Sequence, residues 1–212
     1  MRILVILKKD LLLKIALKGY TIGYAANLNF ATYDMVKKLP GIISFMSIVV
    51  GVFGLVWTEF TTKIISVGVL VLGISSIYIE RFTPNIESYC KRGSKNTEQL
   101  NSLRNLYSKV KQLDENSNFQ IMESEYEQIE KEFNDSCEPN QIIFSNWYAH
   151  FKFFCEKDIS WMNDEIHFKL WKDKIPQTAK VCFVILIVTV IIYYCFAAPV
   201  LNQFFRDILF ID

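Results

Sequence analysis

Five cysteines and two histidines are the side chains best suited to bind a metal or act as nucleophiles, and their spacing favours neither role. The sequence has no Cys-x-x-Cys pair, and neither histidine has a partner at metal-ligand spacing. A metal site would have to assemble from His150, Cys155, Asp158 and His167, which are scattered. Phosphate-binding loops and nucleophile elbows are also absent from the sequence. We therefore expect neither enzymatic activity nor a cofactor.

Small and weakly polar residues form a second pattern, because they recur at helical spacing in two apolar segments. The residues concerned are Ser44, Ser47, Gly51, Gly54 and Thr58 in the first segment, and Ser66, Gly73 and Ser76 in the second. In lipid, small residues mark where helix backbones approach closely, and weakly polar ones can line a narrow aqueous path. The pattern therefore predicts that the two helices pack as a hairpin, or that this face lines a pore or contacts a neighbouring subunit.

The elements that carry this pattern are long runs without charge. Residues 39–58 and 181–205 contain no charged side chain, and each reaches the roughly 20 residues that a helix needs to cross a bilayer core. Residues 64–79 form a shorter run, which Thr61, Thr62 and the stem of Lys63 extend. Buried helices of a soluble protein would explain one such run but not three. The sequence therefore predicts an all-α integral membrane protein, with a transmembrane helical hairpin at 39–80 and a third transmembrane helix at 179–205.

A polar insert, residues 81–178, separates the second run from the third. A basic helix is followed by a short turn and an acidic helix. Apolar positions at helical spacing predict that the two pack as an antiparallel pair. These positions are Leu103, Tyr107 and Val110 in the basic helix, and Met122, Tyr126, Ile129 and Phe133 in the acidic one. Nucleic-acid binding is an alternative interpretation of the basic helix. The aromatic residues dense in 142–174 are expected in the core, at the membrane interface or against another subunit.

Lysine and arginine near the runs predict the orientation of the chain. Residues 1–38 carry seven basic residues, the connection at 59–63 carries one, and only Arg206 follows the third run. We therefore expect a cytoplasmic N-terminus, a cytosolic insert and a short outer tail at 206–212. The basic N-terminal segment, residues 1–38, is expected to lie as an amphipathic helix on the anionic inner leaflet or to pack on the insert.

Three short stretches around the paired spans carry a family resemblance. They are Ala25-Ala26-Asn27 to Tyr33-Asp34, Tyr89-Cys90-Lys91-Arg92-Gly93, and Asn101 to Lys111 with its Asn-x-Leu-Arg-x-Leu-Tyr pattern. Together with the spans, they resemble the SLATT domain, a bacterial membrane domain with a close helical hairpin of spans and a cytosolic helical extension. The resemblance covers residues 15–112 well and the remainder loosely. The third span departs from the simplest two-span form.

The resemblance implies a function as well as a fold. SLATT proteins are thought to be toxic effectors of bacterial anti-phage systems such as CBASS and retrons, acting by permeabilising the inner membrane of the infected cell. We therefore expect a multi-pass homo-oligomer in the lipid bilayer and a trigger partner encoded nearby. That trigger would be a nucleotide cyclase product, or a reverse transcriptase with its nucleic acid. The alternative function is a non-enzymatic anchor or scaffold that recruits a soluble partner to the membrane.

Overall fold

The computed structural model describes residues 2–57, 62–114, 117–135 and 140–194, and of residues 2–6 and 170 only the backbone. Thr58, Thr61, the end of the predicted third span and the predicted outer tail lie outside these ranges. The regular elements described are all helical, which confirms the predicted class. They are α1 (Arg2–Gly54), α2 (Lys63–Glu80), a 3₁₀ turn (Thr83–Asn85), α3 (Ile86–Gln112), α4 (Gln120–Asn134), α5 (Ser145–Glu156), α6 (Ser160–Ile166), α7 (Leu170–Asp173) and α8 (Gln177–Ile192).

α1 is one continuous helix of 53 residues, about 80 Å long at a rise of about 1.5 Å per residue. It contains both the basic N-terminal segment and the first span, and therefore runs through the predicted boundary at residue 38. Pro40 lies inside it. Because proline has no amide hydrogen to donate to the Val36 carbonyl, the helix is weakened where the span begins.

The N-terminal part of α1 packs on the insert, which is the second of the two arrangements that the sequence allowed. Its most extensive contacts are with α3, and α4, α5 and α6 also pack against it. The helical spacing of its apolar residues explains this contact, because one face of this part of α1 is buried. The buried residues of this face include Leu11, Leu12, Ile15, Ala16, Ile22, Ala26 and Val36.

A second, smaller apolar cluster lies where α1 and α2 meet the insert. It consists of Val36, Ile79, Phe82, Tyr89 and Ile142. Between α2 and α3 the chain turns within a few residues, since the Phe82 amide donates to the Ile79 carbonyl at 3.0 Å. The hairpin is thus joined to the insert through both of its helices.

The chain divides into two compact units, residues 1–168 and 169–212. The second unit contains α7 and α8. The 16 residues of α8 are about 24 Å long at a rise of about 1.5 Å per residue. The predicted third span continues beyond Tyr194, outside the described residues, and stays a prediction.

Candidate functional site: the helical core and the membrane hairpin

The predicted contact residues of the insert all lie in one hydrophobic core. Leu103, Tyr107, Val110, Ile129 and Phe133 are buried, and Met122 and Tyr126 are half-buried against them. The core is not a simple pair of α3 and α4, however, because α1 contributes five buried residues to it. The positions chosen by periodicity are among these buried and half-buried residues, but periodicity could not show that α1 is the main partner of α3.

Tyr126 keeps its proton within this core. Burial, followed by the charge and hydrogen bond of Glu130, raises the pKa of Tyr126 to about 12. Its hydroxyl therefore donates to the Glu130 carboxylate, at 3.4 Å. The same carboxylate accepts a hydrogen bond from Lys18 of α1 at 2.8 Å. Glu130 thus links α4 to α1 through Lys18, whereas its contact with Tyr126 lies within α4.

Three helical glycines allow aromatic rings to lie directly on the backbone. Of these, only Gly93 was named from the sequence, and only as part of the family resemblance. A Cβ added at Gly23 would meet the Phe153 ring at 2.8 Å, and one added at Gly93 would meet the Phe30 ring at 2.8 Å. At Gly19 the Trp161 ring would be 2.5 Å away. A glycine inside a helical pattern often has such a packing reason, and this was the available signal.

The basic face of α3 pairs with carboxylates from two directions. Lys109 contacts Glu125 of α4 at 3.2 Å. Arg104 contacts Asp158 at 2.6 Å, and Lys111 contacts Asp164 of α6 at 3.3 Å. The predicted charge pairing of α3 with α4 is therefore shared with the segment around α6. Exposed pairs of this kind contribute about 0–1 kcal/mol each, so the core depends chiefly on apolar packing.

Hydrogen bonds from amide and hydroxyl side chains hold the segment that precedes α5. Thr32 donates to Gln141, whose amide nitrogen donates to Asn29 at 3.4 Å. The Tyr89 hydroxyl donates to the Asn140 carbonyl at 2.8 Å. These bonds place residues 140–142 against α1 and α3, close to the membrane end of the insert.

Asp34 forms the ionic junction at that end. Its carboxylate contacts Lys152 of α5 at 2.8 Å and Lys38 at 2.9 Å. Burial alone would raise the pKa of Asp34, but the hydrogen bonds and positive charges of Lys152 and Lys38 outweigh it and lower the pKa below its ordinary value. Asp34 is consequently ionised at neutral pH and ties α5 to α1.

The predicted stripe of small residues divides into two sets in the hairpin. Ser47, Gly54 and Ser76 are half-buried, whereas Ser44, Gly51, Ser66 and Gly73 are exposed. Apart from its chain neighbours and the adjacent backbone of its own helix, no described atom lies within 4 Å of a Cβ added at Gly51 or Gly73. The Ser47 and Ser66 hydroxyls donate to the carbonyls four residues earlier, Ile43 and Thr62, which satisfies them without water. Among the described residues of the stripe, therefore, one set is partly covered within a single chain and the other is not.

Two of the four scattered metal candidates have other contacts in this structure. Asp158 binds Arg104, and the His150 ring packs against Phe154 at 4.8 Å between ring centroids. Among the described residues, no three histidine, cysteine or carboxylate side chains come together as a metal site would require.

Comparison with protein families gives one match. The model of SMODS and SLOG-associating 2TM effector domain 6 matches residues 6–183. The chain belongs to this SLATT family. Searches of curated proteins and of solved structures gave no match. The match confirms the resemblance, and the matched residues include the helical core. Because the match ends within α8, most of the predicted third span lies beyond the two-span domain.

The two spans of the SLATT domain correspond to two described helices that are long and apolar enough to cross a membrane. In the most apolar 18-residue window of each helix, 6% is buried inside the protein. A core helix of a soluble protein would be mostly buried, whereas a helix in lipid exposes its apolar side chains. The exposed apolar surface and the family match together identify a membrane protein.

Proposed function

We propose that this SLATT protein is a membrane effector of a bacterial anti-phage defence system. It oligomerises in the inner membrane and permeabilises that membrane when a trigger acts on its insert. The observation that best supports this proposal is the continuity of α1, which contains both the buried face of the core and the first span. A change in the core therefore moves the same helix that crosses the bilayer.

The exposed part of the hairpin supports the proposed oligomer. Among the described residues, the side of Gly51 and of Gly73 where a side chain would lie faces open space. In lipid, small residues stabilise helix association because they let two helix backbones approach closely. A neighbouring subunit would supply such contacts, and rearranging them would open the conducting path.

Basic residues support a cytoplasmic N-terminus and a cytosolic insert. Seven lysines and arginines precede the first span and one lies between the spans, as expected when the basic side stays in the cytoplasm. On this orientation the insert faces a trigger made in the cytosol, either the product of a nucleotide cyclase or a reverse transcriptase with its nucleic acid. Membrane permeabilisation requires no catalytic group, so we propose that the protein is not an enzyme.

An anchor or scaffold function has one specific observation in its favour. A groove of about 290 Å³ lies between α1 and the start of α4, lined by Leu7, Leu11, Leu17 and Phe119 among others. A soluble partner held in this groove would be recruited to the membrane without any permeabilisation.

Membrane potential distinguishes the two functions. The protein is expressed in a bacterial host with and without its neighbouring genes, and depolarisation is followed with a potential-sensitive dye at matched protein levels. An effector depolarises the membrane once the trigger is present. A chain that never depolarises the membrane with its complete gene neighbourhood would be an anchor.

A two-glycine insertion after Lys38 tests the role of α1. It interrupts the helix between core and span and should abolish depolarisation while membrane insertion persists. The matched control is the same insertion after Ser117, in the connection between α3 and α4, which should retain depolarisation. Full depolarisation by the Lys38 insertion variant would contradict transmission through α1.

A further inference from the structure

A groove of about 420 Å³ opens between α1 and the start of α5, where α1 enters the first span. One wall includes Asp34, Lys38, Leu39 and Ile42, and the other includes Phe144 and Trp147. Apolar side chains therefore face each other across it, with charges at one end.

The position of the groove along α1 sets its depth relative to the membrane. Leu39 begins the charge-free run, and Asp34 lies five residues earlier, a distance of about 7.5 Å along a helix. The headgroup layer on each side of the bilayer core is roughly 5–8 Å thick. The groove consequently spans the headgroup layer and the outermost part of the hydrocarbon.

Backbone geometry keeps the aromatic wall exposed. Phe144 has φ = 68°, in the left-handed region that is uncommon for a bulky residue. Its ring is 58% exposed and meets the Trp147 ring edge-on at 5.5 Å. The amide of the preceding Ile143 donates to the Tyr78 hydroxyl of α2 at 3.3 Å, which holds this turn beside the hairpin. An exposed aromatic ring beside a half-buried tryptophan at this depth is typical of a contact with lipid.

Positive charge exceeds negative charge at the polar end. One carboxylate, Asp34, is shared by the ammonium groups of Lys38 and Lys152. The Lys38 side chain is 62% exposed, so it can reach a further anion. An apolar groove with one excess cation complements a phosphodiester that carries acyl chains.

We propose that this groove binds one anionic phospholipid of the adjoining leaflet. The phosphate lies beside Lys38, and an acyl chain runs along Leu39 and Ile42 against the rings of Phe144 and Trp147. This site depends on the membrane location of the protein and not on permeabilisation, so the two proposals can fail separately.

Native mass spectrometry of the purified full-length protein tests the site. The protein is released from detergent in the presence of equal amounts of phosphatidylglycerol and phosphatidylcholine with identical acyl chains. The parent should retain one phosphatidylglycerol in preference to phosphatidylcholine. Lys38→Gln should lower that preference about fivefold, the factor for one lysine near an anionic surface. Asp34 keeps Lys152 as a partner, so this variant should fold.

Two comparisons sharpen the result. Lys109→Gln also removes an exposed lysine from an ion pair, but far along α3, and should leave the preference unchanged. Trp147→Ala should lower the retention of both lipids. Equal retention of the two lipids by the parent, or an unchanged preference in Lys38→Gln, would overturn the proposal. Displacement of phosphatidylglycerol by glycerol 3-phosphate would also overturn it, because the site would then bind a free phosphate and not a lipid.

Discussion

Gly23→Ala should destabilise the helical core, although alanine is the better helix former. The new methyl carbon would lie 2.8 Å from one atom of the Phe153 ring and 3.3 Å from Leu100. Phe153 is 1% exposed and packs against Tyr20 and Phe154, at ring-centroid distances of 5.5 Å and 5.1 Å. The ring therefore has no open space into which it can move.

The expected magnitude follows from two opposing effects. Overpacking of a core costs about 1–3 kcal/mol, whereas replacing glycine by alanine inside a helix contributes about 1 kcal/mol of stability. Gly41→Ala provides the matched control. Gly41 lies in the same helix and, apart from its chain neighbours and the adjacent helix backbone, no described atom is within 4 Å of its added Cβ. The helix-forming gain is then common to both variants, and their free energies of unfolding should differ by about 2 kcal/mol.

Thermal unfolding of the purified protein in one detergent measures this difference. For a chain of this size, about 2 kcal/mol corresponds to a Tm difference of roughly 4–8 °C. Phe153→Leu in the Gly23→Ala background should recover part of the loss, because the smaller side chain relieves the crowding, and the single and double variants together isolate the coupling. If Gly23→Ala unfolds at the same temperature as Gly41→Ala, the ring does not lie on the helix as described.

Three further predictions concern the core, the ionic junction and the topology. Ile129→Asp should lower the free energy of unfolding by several kcal/mol, because it buries an unpaired carboxylate. The surface change Glu127→Gln should alter it by no more than about 0.5 kcal/mol. Similar denaturation curves for the two variants would contradict the burial of Ile129. The pKa of Asp34 is lowered in the folded state, so the stabilisation by its ion pairs is complete above the unfolded pKa near 3.8 and is lost as pH falls further. The difference in free energy of unfolding between the parent and Asp34→Asn should therefore shrink below about pH 4. If that difference does not change with pH, the ion pairs of Asp34 do not cause it. A reporter active only outside the cytosol should be inactive when fused at residue 120 and active when fused at residue 212, and the opposite result at either position would refute the three-span topology.

Several features of the fold could be predicted because they depend on local sequence. A span needs only an uninterrupted apolar stretch, and an amphipathic helix shows its buried face by periodicity. Leu103, Tyr107 and Val110, which periodicity placed on one face of α3, are buried in the structure. Periodicity does not specify the partner, however, and the N-terminal segment was equally compatible with a membrane surface and with the insert. That choice depends on tertiary contacts such as the Phe153 ring on Gly23.

The ends of the insert were harder to predict for a different reason. Phe144 adopts a left-handed backbone conformation for which phenylalanine carries no sequence signal, unlike glycine or asparagine. The link between Asp34 and Lys152 joins residues more than a hundred positions apart. Spacing along one helix can suggest the pair Asp34 and Lys38, but not a contact that depends on how α5 returns to α1.

Pro40 lies in α1 between the helical core and the first span, where the proposed mechanism requires movement to pass from one to the other. Burial of the core face extends to Val36, and the charge-free run begins at Leu39. The proline removes the helical hydrogen bond of the Val36 carbonyl, so α1 bends most easily between these two regions. Under the proposed mechanism, a displacement of the core would therefore change the tilt of the span at this short stretch. The groove that we propose for a phospholipid lies beside the same stretch, so a lipid bound there would oppose such a change.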